Sequence, residues 1–200
     1  MISNPIFIIG TERSGSNLLR LLLNAHPNIA IPHPPHVMRD MAPLAPLYGD
    51  ARFELLAADL VRAVNMHFAP WPFEVSGEEL CQMGPSRTLY GLYCALYEKY
   101  RAYSGKARWG CKSTFMFAQI AEILAHHAEP RFLHLVRDPR DVAASAGESI
   151  FSQYHPFKQA ALWTDQQLEI EGWAPKLKKK YLRIRYEDLT ARPTEETRKV

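Results

Sequence analysis

The residues Gly10-Thr11-Glu12-Arg13-Ser14-Gly15-Ser16-Asn17 set two glycines five positions apart, between an apolar run and a leucine-rich run. After a strand and before a helix, that spacing frees backbone N–H groups to hold phosphate oxygens, aided by the helix dipole. A nucleoside-triphosphate loop follows its second glycine with a lysine for the β- and γ-phosphates and a Ser or Thr for Mg²⁺. Ser16 and Asn17 stand in those places, so a kinase or ATPase would lack both parts. The cation is Arg13, inside the loop, where its planar fork suits a phosphate or sulfonate. The bland reading is that Gly10 and Gly15 only permit a tight turn while Arg13 points into water.

A second group is Val136-Arg137-Asp138-Pro139-Arg140-Asp141-Val142-Ala143-Ala144-Ser145. Asp138 as N-cap, Pro139 at the first helical position and Asp141 three after the cap make a helix start. Arg137 then projects from a strand end, where ligands of α/β folds collect, with Ser145 about two helical turns on. The two form a phosphate clamp, or Arg137 pairs with Asp141.

His33 and His36 lie in Ile31-Pro32-His33-Pro34-Pro35-His36, and neutral imidazoles suit general-base work. Surface loop histidines are the competing assignment. A metal pair there is not expected, since no carboxylate or Cys accompanies them at ligand spacing. Lys112 follows a strand pattern, as either a functional cation or an exposed one. His126 and His127, closing a helix pattern, are expected on the surface near the dipole's negative end.

The elements that must position these residues alternate. Strand patterns are Pro5 to Gly10, Ala107 to Cys111, Arg131 to Val136 and Tyr181 to Tyr186, continuously apolar where both faces are to be buried. Helical periodicity covers Ser14 to Ala25, about Asp50 to Phe68, Ser86 to Tyr103, Phe115 to Ala128, Pro139 onward and about Phe157 to Leu177. The six prolines between His26 and Pro46 predict an irregular connection. Together these imply an α/β, three-layer sandwich of P-loop type with a mainly parallel sheet, in one domain over 1–200. The last residues, Thr197 to Val200, lie in a new helix pattern, so a trimmed or partial chain is expected.

Composition narrows the function. A formal charge of +3 from 24 basic and 21 acidic residues is too balanced for a nucleic-acid binder but tolerates an anionic small ligand. The cluster Lys176, Lys178, Lys179, Lys180 fits a solvated helix end. Cys81, Cys94 and Cys111 form neither a disulfide scaffold nor a zinc spacing, which suits a reducing compartment, here expected to be cytoplasmic. No apolar run is long enough to span a bilayer and no basic leader precedes the first strand.

These motifs resemble the sulfotransferase family, most closely its bacterial and tyrosylprotein-type branch. The stretch from Glu12 to Pro27 is similar to that branch's 5′-phosphosulfate loop with its leucine-rich helix and His-Pro. Leu135 to Ala146 is similar to its 3′-phosphate motif, and Arg185 to Leu189 to its late strand and turn. The resemblance implies 3′-phosphoadenosine 5′-phosphosulfate as co-substrate, without a metal. Arg13, Ser14, Gly15, Ser16 and Asn17 would hold its 5′ end, Arg137 and Ser145 its 3′-phosphate, and Tyr186 would lie near the nucleotide. Trp109-Gly110-Cys111-Lys112-Ser113 resembles the family's Gly-x-Lys segment, which makes Lys112, with Arg13, a catalytic candidate stabilising charge on the transferred group. The branch usually carries a Glu base after the His-Pro; Pro34 falls there in this chain, which leaves His33 or His36 as base, with His33, adjacent to that position, the favoured one. Family chains usually continue into a segment that closes over donor and acceptor.

The implied acceptor is a hydroxyl or amine of a small molecule, phenol, carbohydrate, lipid or peptide, with Phe68, Trp71 and Phe73 either lining its pocket or lying in the core. The rival functions are a Mg²⁺-dependent small-molecule kinase and a nucleotide-binding homologue that has lost its base. Oligomeric state has no signature in the sequence.

Overall fold

The computed structural model describes residues 4–149 and 155–200. In chain order the strands and α-helices are β1 (Ile6–Gly10), α1 (Ser16–Asn24), β2 (Ile29–Ala30), α2 (Val37–Met41), α3 (Phe53–Asn65), α4 (Gly77–Met83), α5 (Leu89–Tyr103), β3 (Arg108–Cys111), α6 (Ile120–His126), β4 (Arg131–Val136), α7 (Pro139–Gly147), α8 (Pro156–Leu177), β5 (Tyr181–Arg185), α9 (Tyr186–Ala191) and α10 (Pro193–Arg198). The strands pair in the order β2-β3-β1-β4-β5, and every pairing is parallel. Because β1 is central, the loop that leaves it emerges between the ends of its two neighbours, where the strand order reverses.

Strand alternation divides the interior into two layers. Phe7, Ile9, Trp109, Cys111 and Phe132 face one side, against α3, α5 and α8. Ile6, Ile8, Leu133, Leu135 and Ile184 face the other, against Leu19 and Leu23 of α1 and Leu189 of α9. A sheet covered on both faces explains why its central strands are continuously apolar.

Helices that return antiparallel to the strands end at the opposite edge of the sheet, and cations gather at those carbonyls. Lys106 Nζ donates to Asn24 O (2.5 Å) and Ile29 O (2.9 Å), and Lys180 Nζ donates to Ala128 O (2.5 Å). Lys176 lies over the Trp173 ring. The lysine cluster is thus a helix terminus, as its spacing suggests.

Two expectations are corrected. The proline-rich segment is not wholly irregular: Ile29–Ala30 pairs with β3, and α2 starts immediately beyond Pro35, where the chain is free of proline's restriction on the preceding residue. His127 is not a surface residue but core, 4% exposed, its Nε2 3.0 Å from Tyr90 Oη and 3.7 Å from Cys94 Sγ. His126 is half-buried, with Nδ1 3.0 Å from Glu122 O.

His134, fully buried in β4, has Nδ1 2.6 Å from Tyr181 Oη. Burial, with the charge of Arg183, lowers its pKa to about 4. The unfolded imidazole takes up its proton near its ordinary value, so stability is complete above that value and lost as pH falls toward the folded one. Urea unfolding followed from about pH 7 to about pH 4.5 is expected to show falling stability. His134→Gln, which keeps a polar partner for Tyr181 without titrating, should make the fall shallower; an unchanged slope would contradict this.

Candidate functional site

The loop after β1 is built from conformations that side chains rarely adopt. Gly10 has φ 147°, Arg13 63° and Gly15 87°. A Cβ on Gly10 would lie 2.5 Å from Leu135 O, and one on Gly15 would lie 2.3 Å from the Tyr186 ring. The glycines are therefore needed for close approach as well as for φ. Gly15 is also the N-cap of α1 and offers no side-chain cap, which leaves the amides of the first turn to a ligand or water.

The loop is tied to the end of β4. Arg137 Nη1 donates to Arg13 O at 3.0 Å, which supports the left-handed Arg13, and Arg13 Nε donates to Ser145 Oγ at 3.1 Å. The Arg137 guanidinium lies 4.6 Å from the centre of the Tyr186 ring, whose edge closes on Gly15. Trp163 Nε1 donates to Arg137 O (3.2 Å), and Glu187 Oε1 accepts from the Asp138 amide (2.9 Å). Asp138 caps α7 through the Arg140 amide and also pairs with the Arg140 side chain. Arg137 does not pair with Asp141, which resolves that alternative toward the loop. Arg13, Gly15, Arg137, Ser145 and Tyr186 thus form one cluster, beside Ser14, Ser16 and Asn17.

Three buried polar atoms in this cluster have no hydrogen-bond partner among the described residues: Thr11 Oγ1, Ser14 Oγ and Arg137 Nε. Buried polar atoms ordinarily find partners, so orphans converging on one loop mark a place prepared for a polar ligand.

Lys112, His33 and His36 form the neighbouring half. Lys112 makes no hydrogen bond or ion pair among the described residues, and burial, with the nearby charge of Arg20, pulls its pKa down. His36 is the N-cap of α2 with φ 54°, and its Nδ1 lies 3.2 Å from Ser113 Oγ. His33 is held through its carbonyl, which accepts from Trp71 Nε1 at 2.9 Å. Both imidazoles titrate at about 4: burial is the main cause for each, followed by Lys112 for His33 and by Arg39 and then Lys112 for His36. Both are therefore neutral at physiological pH. Of the three aromatic candidates, Phe68 is exposed, Trp71 is core and Phe73 packs partly buried against it.

Arg20 and Ser113 join the site without having been singled out in the sequence. Arg20 donates to Asn17 Oδ1 (2.8 Å) and Ile31 O (3.3 Å), linking the loop helix to the histidine segment. Its position, four residues after Ser16 on a helix, is the signal that could have found it. Among the described residues no group of three or more His, Cys, Asp or Glu is placed to hold a metal ion, and no helix is long and apolar enough to cross a membrane.

A family model described as the sulfotransferase family matches residues 5–200. The sulfotransferase domain of the Synechococcus PCC 7002 olefin synthase has a similar fold, with a TM-score of 0.59 and 22% identity over 98% of this chain and 71% of that one. The sulfotransferase domain from the curacin biosynthetic pathway gives 0.63 and 19%, with the same coverage of both chains. A Mycobacterium avium sulfotransferase gives 0.57 and 14%, over 99% of this chain and 62% of that one. No curated protein matches the sequence.

Gly15→Ala is expected to destabilise the protein by about 2 kcal/mol through the strained φ and the collision with Tyr186. Gly49→Ala, at φ 56° with nothing within 4 Å of its Cβ, should cost only about 1 kcal/mol. Equal losses in urea melts would show that Tyr186 does not press on the loop.

Proposed function

The chain belongs to the sulfotransferase family over residues 5–200, and on that premise we propose that it transfers a sulfonate group from 3′-phosphoadenosine 5′-phosphosulfate to a hydroxyl or amine. The observation that carries the choice of donor is the pairing of two arginines across two strand ends, with Arg137 bonded to the Arg13 carbonyl and Arg13 to Ser145. A ligand with anionic groups at both ends suits two such cations better than a singly phosphorylated nucleotide. The orphaned Ser14 Oγ, Thr11 Oγ1 and Arg137 Nε fit the same ligand.

In this proposal Arg13 and the amides of Ser14 to Asn17 hold the 5′-phosphosulfate, and Arg137 and Ser145 hold the 3′-phosphate, with Tyr186 against Arg137. The donor supplies an activated sulfonate whose transfer places negative charge on the equatorial and leaving oxygens. Lys112 and Arg13 are fixed cations that stabilise that charge. Burial strengthens the effect for Lys112, because less water competes for its field.

His36 is the preferred base. When its Nδ1–H donates to Ser113 Oγ, Nε2 keeps a free lone pair and the ring is held in place. His33 is the second candidate, in the same cationic field. Pro34 stands where the branch this chain resembles usually carries a Glu, so in this proposal an imidazole takes the place of that carboxylate.

Calorimetric titration without Mg²⁺ is expected to show 3′-phosphoadenosine 5′-phosphate binding more tightly than AMP. Arg137→Ala should weaken that binding by about tenfold or more, the usual worth of a charged hydrogen bond. An unchanged affinity in the variant would remove Arg137 from the donor site.

His36→Ala is expected to lower kcat by about a hundredfold or more. Because a lowered pKa keeps the imidazole unprotonated, the acid limb of the wild-type rate profile should fall near pH 4. A limb at the ordinary histidine value would contradict the assignment.

A further inference from the structure

Arg137 is held by its backbone as well as by its side chain. The peptide group that joins it to Asp138 is bonded at both poles. Trp163 Nε1 of α8 donates to the carbonyl at 3.2 Å, and Glu187 Oε1 of α9 accepts from the N–H at 2.9 Å. The two partners come from opposite faces of the sheet: α8 packs with Phe7 and Phe132, whereas α9 packs through Leu189 with Leu133 and Ile184.

Cap chemistry alone would not send the amide to Glu187. Asp138 is the N-cap of α7, and the side chain that ordinarily returns to an N-cap amide is a Glu or Gln three positions on. Asp141 stands there, one methylene shorter, and the amide bonds across to α9 instead. Sheet register brings α9 within reach. Strands β4 and β5 run parallel with Val136 opposite Arg185, so the next two residues of each chain leave the sheet side by side. Arg137 meets Tyr186, whose ring centre is 4.6 Å from the guanidinium, and Asp138 meets Glu187. The other Glu187 oxygen lies 3.8 Å from Arg185 Nε, so the carboxylate is oriented from both sides.

We propose that Glu187 and Trp163 are positioning residues for the donor's 3′-phosphate, which fix the plane of the Arg137–Asp138 peptide and thereby aim the Arg137 side chain. This rests on the donor assignment proposed above. A peptide group is planar, so bonds to both its carbonyl and its N–H fix the backbone on either side of it together. A long side chain rooted in a fixed backbone has fewer directions to lose when a ligand binds, and the cost of ordering it falls. The benefit goes to ligands that Arg137 touches. A nucleotide without the second phosphate is held at its 5′ end by the loop after β1 and gains nothing from the two bonds.

The readout is the ratio of the Kd for AMP to the Kd for 3′-phosphoadenosine 5′-phosphate, measured by calorimetry. Glu187→Ala is expected to lower this ratio by about three- to tenfold, the cost of ordering one long side chain, with AMP affinity unchanged. Glu187→Gln, whose amide oxygen can still accept from the Asp138 N–H, should restore most of the ratio. Trp163→Phe keeps a ring in place and loses the donor, and a fall of similar size is expected. The double variant Glu187→Ala with Trp163→Phe should lose less than the product of the two single effects, because both bonds act on one peptide group. The Glu187 side chain is partly exposed, and melting curves check that each variant folds.

A merely structural role would lower stability and leave the ratio where it was. Equal weakening of both ligands, or Glu187→Gln behaving as Glu187→Ala does, would overturn the inference. A ratio unchanged in both Glu187→Ala and Trp163→Phe would overturn it too, and would leave the donor assignment standing. A ratio near one in the wild-type protein would remove the donor assignment, and this inference with it.

Discussion

The close approach of Gly15 to Tyr186 is the constraint on which the site depends. A loop that turns through three positive φ values is costly unless its surroundings leave no alternative conformation. Here the surroundings come from distant parts of the chain: Leu135 crowds Gly10, Tyr186 fills the space a Cβ would take at Gly15, and Arg137 bonds the carbonyl of Arg13. Parallel pairing of β1 with β4 and of β4 with β5 brings these three pieces to one edge. The loop's shape is thus a consequence of sheet order, and the sheet order follows from burying a continuously apolar β1 at the centre.

Concentrating cations at that edge has consequences beyond ligand binding. Lys112 and Arg20 are both partly removed from water, and burial pulls both pKa values down. Their charges add to the burial that keeps His33 neutral, while Arg39 and Lys112 do the same for His36. The site brings like charges together with buried polar atoms that lack partners among the described residues, and an anionic ligand would relieve both. The long helix α8 supports the arrangement through Trp163, which donates to Arg137 O.

Much of this was legible in the sequence because it depends on local patterns. The β1–loop–α1 unit follows from an apolar run, two glycines and a leucine repeat, and the Asp138-Pro139 start of α7 follows from cap chemistry, which the Asp138 bond to the Arg140 amide bears out. Helix α4 was missed although Ser76 and Glu79 have the spacing of a helix start, and Ser76 does accept from the Glu79 amide at 3.1 Å. What could not be read were the long-range contacts. The burial of His127 is set by Tyr90 and Cys94 on α5, and the choice of Arg137 for the loop over Asp141 is set by where β1 lies. The pairing of His36 with Ser113 joins residues 77 positions apart, a separation no local pattern encodes.

A crystal structure with 3′-phosphoadenosine 5′-phosphate bound would test the central claim most directly, since the claim is geometric. The 5′-phosphate is expected on the amides of Ser14 to Asn17 beside Arg13. The 3′-phosphate should lie between Arg137 and Ser145, with the backbone of the Gly10–Gly15 loop unmoved. A nucleotide that engaged only one of these two positions, or that bound away from the ends of β1 and β4, would contradict the account.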